Sequence, residues 1–303
     1  MKKTIALILT LSLVLGCTAA LAGSKVGFSC PDGTAPYYIA LEAAVRGVVE
    51  ANGDELVAPD PQNNMKKQLS QIDEMIDEGV KAVFLCPVDS DGIIPGLEKL
   101  RDEGIPVFGF GKPVGDKSLV ITCIESDNYS AGMACGNDLA EKTPGGGKVI
   151  VLGSPTTQLK KDRVNGFLDA IGDKGFEVVW QKDCGNSQEQ SIQDAEEALM
   201  MYPDAAAIFC VNDDAALGAA FAAEDLQSGA LIYSVGGSPE VKALIAEGRM
   251  AGAAAESPIS IGETVANLFY VWMDGATVEE EYFISTVLLN SDCISDYNNG
   301  GWQ

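Results

Sequence analysis

The chain of 303 residues has no histidine, and only 20 lysines and arginines stand against 44 aspartates and glutamates. Without imidazole, a serine or cysteine nucleophile would need a lysine or a carboxylate as its base. A zinc site loses its usual nitrogen ligand, and none of the eight cysteines falls in a Cys-x-x-Cys pair. No Gly-x-Ser-x-Gly elbow exists; Gly153-Ser154-Pro155 comes nearest, and its proline spoils the turn. Thr143-Pro144-Gly145-Gly146-Gly147-Lys148 has Lys142 and Val149 where a phosphate loop needs Gly and Ser or Thr, so its glycines read as a turn before a strand. No pair of carboxylates is singled out for glycoside chemistry. Nothing in the sequence calls for a cofactor, a metal or catalysis. The net charge of −24 repels nucleic acid and anionic lipid.

What is present begins with an export signal. Lys2 and Lys3 precede the uncharged run Ile5–Gly16, and Ala20-Leu21-Ala22 offers a small-x-small cleavage site. The run is too short to span a bilayer, so residues 1–22 read as a removed signal and the product as periplasmic or extracellular. Val14-Leu15-Gly16-Cys17 supports an alternative, a lipoprotein anchored at Cys17. Cleavage after Ala22 leaves 281 of the 303 residues, a length that suits two lobes better than one core. Losing Lys2 and Lys3 reduces the 20 basic residues to 18, which moves the net charge from −24 to −26.

Strands and helices then alternate. Lys25–Cys30, Glu55–Ala58, Val80–Cys86, Pro106–Phe110, Leu119–Ile124, Lys148–Leu152, Glu177–Trp180, Ala205–Val211, Leu231–Val235 and Met250–Ala254 read as buried strands. Between them lie amphipathic helices. Leu41, Ala44, Val45, Val48 and Val49 form one stripe; Leu69, Ile72, Met75 and Ile76 form another, stopped by Gly79. The alternation predicts an α/β protein of two doubly wound, parallel-sheet lobes, with a ligand cleft at the carboxyl ends of their strands. Cys30, Cys86, Cys123 and Cys210, at or near the ends of apolar runs, read as small buried hydrophobes. One or two disulfides are the alternative, and no pairing can be assigned.

Two strand-end motifs suggest a binding site. Pro36-Tyr37-Tyr38 follows the first strand, where sugar faces stack on rings and phenols reach hydroxyls. Asn212-Asp213-Asp214 ends another strand and opens an Ala-rich helix. Asn212 is assigned to ligand and Asp213 mainly to the helix start.

With Gln62-Asn63-Asn64, Pro87-Val88-Asp89-Ser90-Asp91, Ser126-Asp127-Asn128 and Asn212–Ala219, these motifs resemble the ribose-binding (type I) group of periplasmic sugar-binding proteins of ABC transporters, over nearly the whole mature chain. The resemblance implies two Rossmann-like lobes joined by crossings near residues 126, 256 and 285. Residues 23–126 with 257–285 would form the N-terminal lobe, and 127–256 with 286–303 the C-terminal lobe. It implies a monomer that closes on a small sugar-like or polyol ligand and docks on a membrane permease. A chemoreceptor or autoinducer-sensing role is the alternative, and an exported hydrolase on this fold a more distant one. The ligand shell it implies is Tyr37, Tyr38, Ser126, Lys161 in place of a common Arg, Asn186, Asn212, and Glu256 in place of a common Gln.

Four positions depart from the family pattern. Gly111, followed by Lys112, and Gly236 replace two hydroxyl-gripping carboxylates, and Cys86 and Ala35 each replace an Asn. A charge-assisted hydrogen bond contributes roughly 1.5–3 kcal/mol, so ribose held in the usual way would bind far more weakly. Lys112 and Lys161 would then suit an acidic or oxidised sugar, whereas the Glu256 carboxylate would repel one.

Overall fold

The computed structural model describes residues 23–153, 155–184, 187–297 and 300–302. The expected signal over residues 1–22, with Cys17, and the candidate Asn186 lie outside the described residues. The chain opens with β1 (Lys25–Ser29), α1 (Pro36–Ala51), β2 (Glu55–Val57), α2 (Met65–Asp77), β3 (Val83–Leu85), α3 (Ile94–Asp102), β4 (Val107–Phe110) and β5 (Thr122–Ser126). It continues through α4 (Asn128–Lys142), β6 (Gly147–Leu152), α5 (Gln158–Ile171), β7 (Phe176–Lys182), α6 (Gln188–Met201) and β8 (Ala205–Cys210). Then come α7 (Asp213–Asp225), β9 (Leu231–Gly236), α8 (Pro239–Ala246), β10 (Gly252–Ala255), α9 (Pro258–Met273), β11 (Glu281–Ile284) and β12 (Val287–Asn290).

The strands form two six-stranded sheets, ordered β11-β5-β4-β3-β1-β2 and β12-β10-β9-β8-β6-β7. Each is buried on both faces, which is why the strands read as continuous apolar runs. Along β6, Val149 and Val151 enter the core beneath α4 and α5. Ile150 and Leu152 enter the opposite core beneath α6, α7 and α8. β3 does the same in the first sheet: Phe84 faces the cluster of Leu41, Val45 and Phe269, while Val83 and Leu85 face Ile72, Met75 and Leu97. Each such fully buried side chain contributes roughly 1.5–3 kcal/mol.

Three differences from the expected elements have physical causes. β11 and β12 are not among the expected strands: they are short, half-exposed edge strands that follow each other with only two residues between them, outside the strand–helix alternation. The fifth strand begins at Thr122 rather than Leu119, because Asp116 caps a single 3-10 turn over Lys117–Leu119 by accepting from the Ser118 N–H. Pairing is parallel throughout except for β12, which runs antiparallel to β10. That exception follows from the chain path. β11 runs parallel to β5 and ends at Ile284 beside Ser126, and β12 starts at Val287, paired with Ala255 at the end of β10. Two residues therefore join the carboxyl edge of one sheet to the carboxyl edge of the other, and those edges face each other. The chain also passes between the sheets at residues 126–128 and 255–258, and the Asp127 N–H donates to the Ile284 carbonyl across two of the three crossings.

All seven cysteines among the described residues are free thiols, six of them buried. Burial pushes Cys30 up to about 12, so it behaves as a small hydrophobe.

Candidate functional site

The carboxyl ends of β1 and β3 are pinned by one buried glutamine. Gln68 donates from Nε2 to the Ser29 hydroxyl (2.9 Å) and the Cys86 carbonyl (3.0 Å), and its Oε1 accepts from the Val88 N–H (2.9 Å). Its side chain points inward because it shares the buried face of α2 with Gln71, Ile72 and Met75. The sequence reading stopped at Gln62-Asn63-Asn64, of which Asn64 caps α2.

On this frame, Pro36 starts α1 and places Tyr37 and Tyr38 in its first turn. Their rings meet edge to face at 5.3 Å. Burial pushes both phenols well above their usual range, and the Tyr37 phenol also feels Glu256 and Arg163 of the opposite lobe. The Tyr38 hydroxyl lies 3.6 Å from the Cys86 sulfur. Gly111 holds φ +71°, and Lys112 turns its ammonium onto the Val88 carbonyl at 2.8 Å.

The opposite wall is organised by Arg163, two residues beyond the Lys161 that the resemblance implies. Lys161 is exposed. Arg163 is 3% exposed; its Nε donates to Asn128 Oδ1 (2.8 Å), Nη1 to the Val211 carbonyl (2.9 Å), and Nη2 pairs with Glu256 at 2.7 Å. Helical phase explains the exchange. Arg163, Phe167 and Ala170 stand at i, i+4 and i+7 on the buried face of α5, and Lys161 points the other way. Close helix contact brings Arg163 over α4: a Cβ at Gly132 would lie 2.0 Å from the Arg163 carbonyl, and one at Gly166 2.0 Å from the Tyr129 carbonyl. At the crossing, Asn128 donates to the Ser126 carbonyl (2.9 Å), and the Ser126 hydroxyl is buried without a protein partner.

The helix start expected of Asp213 is capped by Asn212, and Asp213 is the first residue of α7. Asn212 Oδ1 accepts from the Ala215 N–H, so it is the cap of α7. Asp213 reaches over to the end of β9, accepting from the Ser234 hydroxyl (2.9 Å) and the Ser238 N–H (2.6 Å). Burial raises its carboxyl and these donors oppose the rise. A Cβ at Gly236, where φ is +156°, would sit 2.5 Å from that carboxylate. The space left by the missing carboxylate at residue 236 is thus filled by Asp213. Glu256 is anchored through its N–H to the Gly236 carbonyl.

Tyr37, Tyr38, Cys86, Lys112, Ser126, Gly236 and Glu256 therefore stand at or beside strand ends of the two facing edges, with Arg163, Asn128 and Asp213 added. The Asn212 Oδ1 is turned to its own helix, and Lys161 is exposed. At nominal charge, Lys112 and Arg163 offset Asp213 and Glu256. A groove of about 490 Å³ lies elsewhere, between Ala230–Ile232 at the start of β9 and Arg249, away from these groups.

Two facing doubly wound sheets, with aromatic rings and offset charges along their opposed edges, define a protein built to hold a small polar molecule between lobes. Residues 26–277 match the family described as periplasmic binding protein domain. The chain belongs to that family. The ribose import binding protein of Bacillus subtilis is 28% identical over 278 residues, covering 87% of this chain and 90% of that one. The Escherichia coli protein of the same name is 26% identical over 292 residues, covering 95% and 98%. An ABC transporter solute-binding protein of Mycobacterium smegmatis with bound glycerol superposes with a TM-score of 0.83 at 25% identity, covering 93% and 100%. The Caulobacter myo-inositol-binding protein shares the fold at a TM-score of 0.79 and 23% identity, covering 90% and 95%.

Proposed function

We propose that this chain is the extracytoplasmic solute-binding component of an ABC importer, closing its lobes on a small neutral sugar or polyol and presenting the closed form to a membrane permease. The observation that carries the choice of ligand is the Arg163–Glu256 pair. The buried cation of the cleft is already compensated, so an anionic ligand would have to displace a carboxylate. The acidic ligand suggested by Lys112 and Lys161 is not supported by their placement: one ammonium is engaged by a backbone carbonyl and the other is in solvent. Neutral hydroxyls suit what is offered: tyrosine rings for C–H faces, the Ser126 hydroxyl, the outer lone pairs of Glu256 and Asp213, and the guanidinium edge. The three crossings beside Ser126, Glu256 and Ile284 supply the hinge.

The test is a thermal-shift screen of residues 23–303 against pentoses, hexoses, cyclitols, glycerol and sugar acids, followed by small-angle scattering of the hit. A ligand at a hundredfold excess over its Kd stabilises by about 2.7 kcal/mol, so a true ligand raises Tm by several degrees. The proposal expects neutral hits and a smaller radius of gyration when bound. Hits confined to acids, or binding without compaction, count against it.

A further inference from the structure

The end of the chain reaches across the cleft. Lys242, on α8 of the second lobe and with no exposed surface, donates its ammonium to the Gly301 carbonyl. The next residue, Trp302, lays its ring edge to face against Tyr37 of α1 in the first lobe, with centroids 5.4 Å apart and planes at 90°. Tyr37 repeats that geometry with Tyr38. Its phenol is the one that senses Glu256 and Arg163. Three aromatic rings therefore run in series along the mouth of the site, and the third comes from neither set of strand-end loops. The Trp302 indole N–H is buried and has no hydrogen-bond partner among the described residues. A buried N–H without an acceptor is costly, and at the edge of the cleft a bound molecule can supply one.

We propose that Trp302 is a ligand-contacting residue that helps set specificity: its ring forms the outer wall of the cleft and its indole N–H donates to a hydroxyl oxygen of the bound molecule, Lys242 holding the tail in place. This rests on the sugar or polyol reading above, because the acceptor it requires is a ligand oxygen. Tyr37 and Trp302 come from opposite lobes and touch each other, so a ligand meets both rings only in the closed form.

The experiment uses residues 23–303 and isothermal titration with D-ribose, L-arabinose, myo-inositol and glycerol. Trp302→Phe keeps the ring but removes the donor, and Trp302→Ala removes both. For whichever probe binds the wild type, the Phe variant should lose about tenfold in affinity and the Ala variant more. Affinities within twofold of wild type for both variants overturn the assignment. So does tighter binding by the Ala variant, which would make the ring an occupant of the site rather than its wall. If no probe binds the wild type, the failure belongs to the reading of the ligand. The strap is then judged by tryptophan emission in a Trp180→Phe, Trp272→Phe background. Buried emission that Tyr37→Ala turns to exposed supports the seating of Trp302, and exposed emission in the unaltered cleft overturns it.

Discussion

Arg163 and Glu256 pair at 2.7 Å where α5 meets the end of β10, with side chains only 4% and 12% exposed. Two charges buried this far are held by geometry rather than by attraction alone. Arg163 also donates to Asn128 and to the Val211 carbonyl, so removing its carboxylate leaves a desolvated cation with neutral partners only.

Glu256→Ala should therefore cost about 3–5 kcal/mol, and Glu256→Gln, which keeps an acceptor, distinctly less. Urea unfolding of the two variants gives the comparison. A cost below about 1 kcal/mol for the alanine variant would mean that the pair is not buried in solution.

The end of β9 yields a second expectation. At Gly236 the backbone sits at φ +156° and the Asp213 carboxylate fills the space a side chain would need. Gly236→Asp, which restores a carboxylate in the sequence, should destabilise by about 2 kcal/mol or more instead of strengthening the site. Asp213→Asn should cost about 1–3 kcal/mol, because one of two oxygens accepting from Ser234 and Ser238 becomes a donor. Denaturant midpoints report both. A neutral Gly236→Asp would contradict the packing.

Glu125 carries the pH dependence. Burial raises it to about 7; Lys117 opposes the rise, and Glu281 and Asp162 add to it. The folded form holds the proton more tightly than the unfolded chain, whose glutamate titrates near 4.5. The stability tied to this group is thus fully present below about 4.5, falls as pH rises, and is lost once pH passes about 7. Glu125→Gln has no such loss, so its gain over wild type should be near zero at about pH 4 and up to about 3 kcal/mol at about pH 8. Equal gains at the two pH values would dismiss Glu125 as the titrating group.

Ten of the strands could be read from the sequence, the inner ones because both faces of each sheet are covered, and the edge strands β2 and β7 because each falls between two amphipathic helices in the alternation. β11 and β12 have one side open and alternate weakly; they carry the chain from one sheet to the other, and β12 is the strand that runs antiparallel. In the site, residue type was readable and facing was not. Tyr37 and Tyr38 followed from a strand end and a proline. Choosing between Lys161 and Arg163 needed the phase of α5, which Val164, Phe167 and Ala170 carry in the sequence. Telling that Asn212 rather than Asp213 caps α7 needed the helix start to within one residue. Trp302 lies beyond the last element, where no periodic pattern reaches.

The central claim, that the cleft is charge-compensated and takes a neutral ligand, is tested most directly by titrating wild-type residues 23–303 with matched pairs differing only in charge: D-ribose with D-ribonate, L-arabinose with L-arabinonate, D-galactose with D-galacturonate. The account predicts that in any pair that binds, the neutral member binds at least about tenfold tighter, the expense of one uncompensated charge contact. An acid bound tightly beside a silent neutral partner would contradict it, and would mean that Glu256 leaves Arg163 to make room.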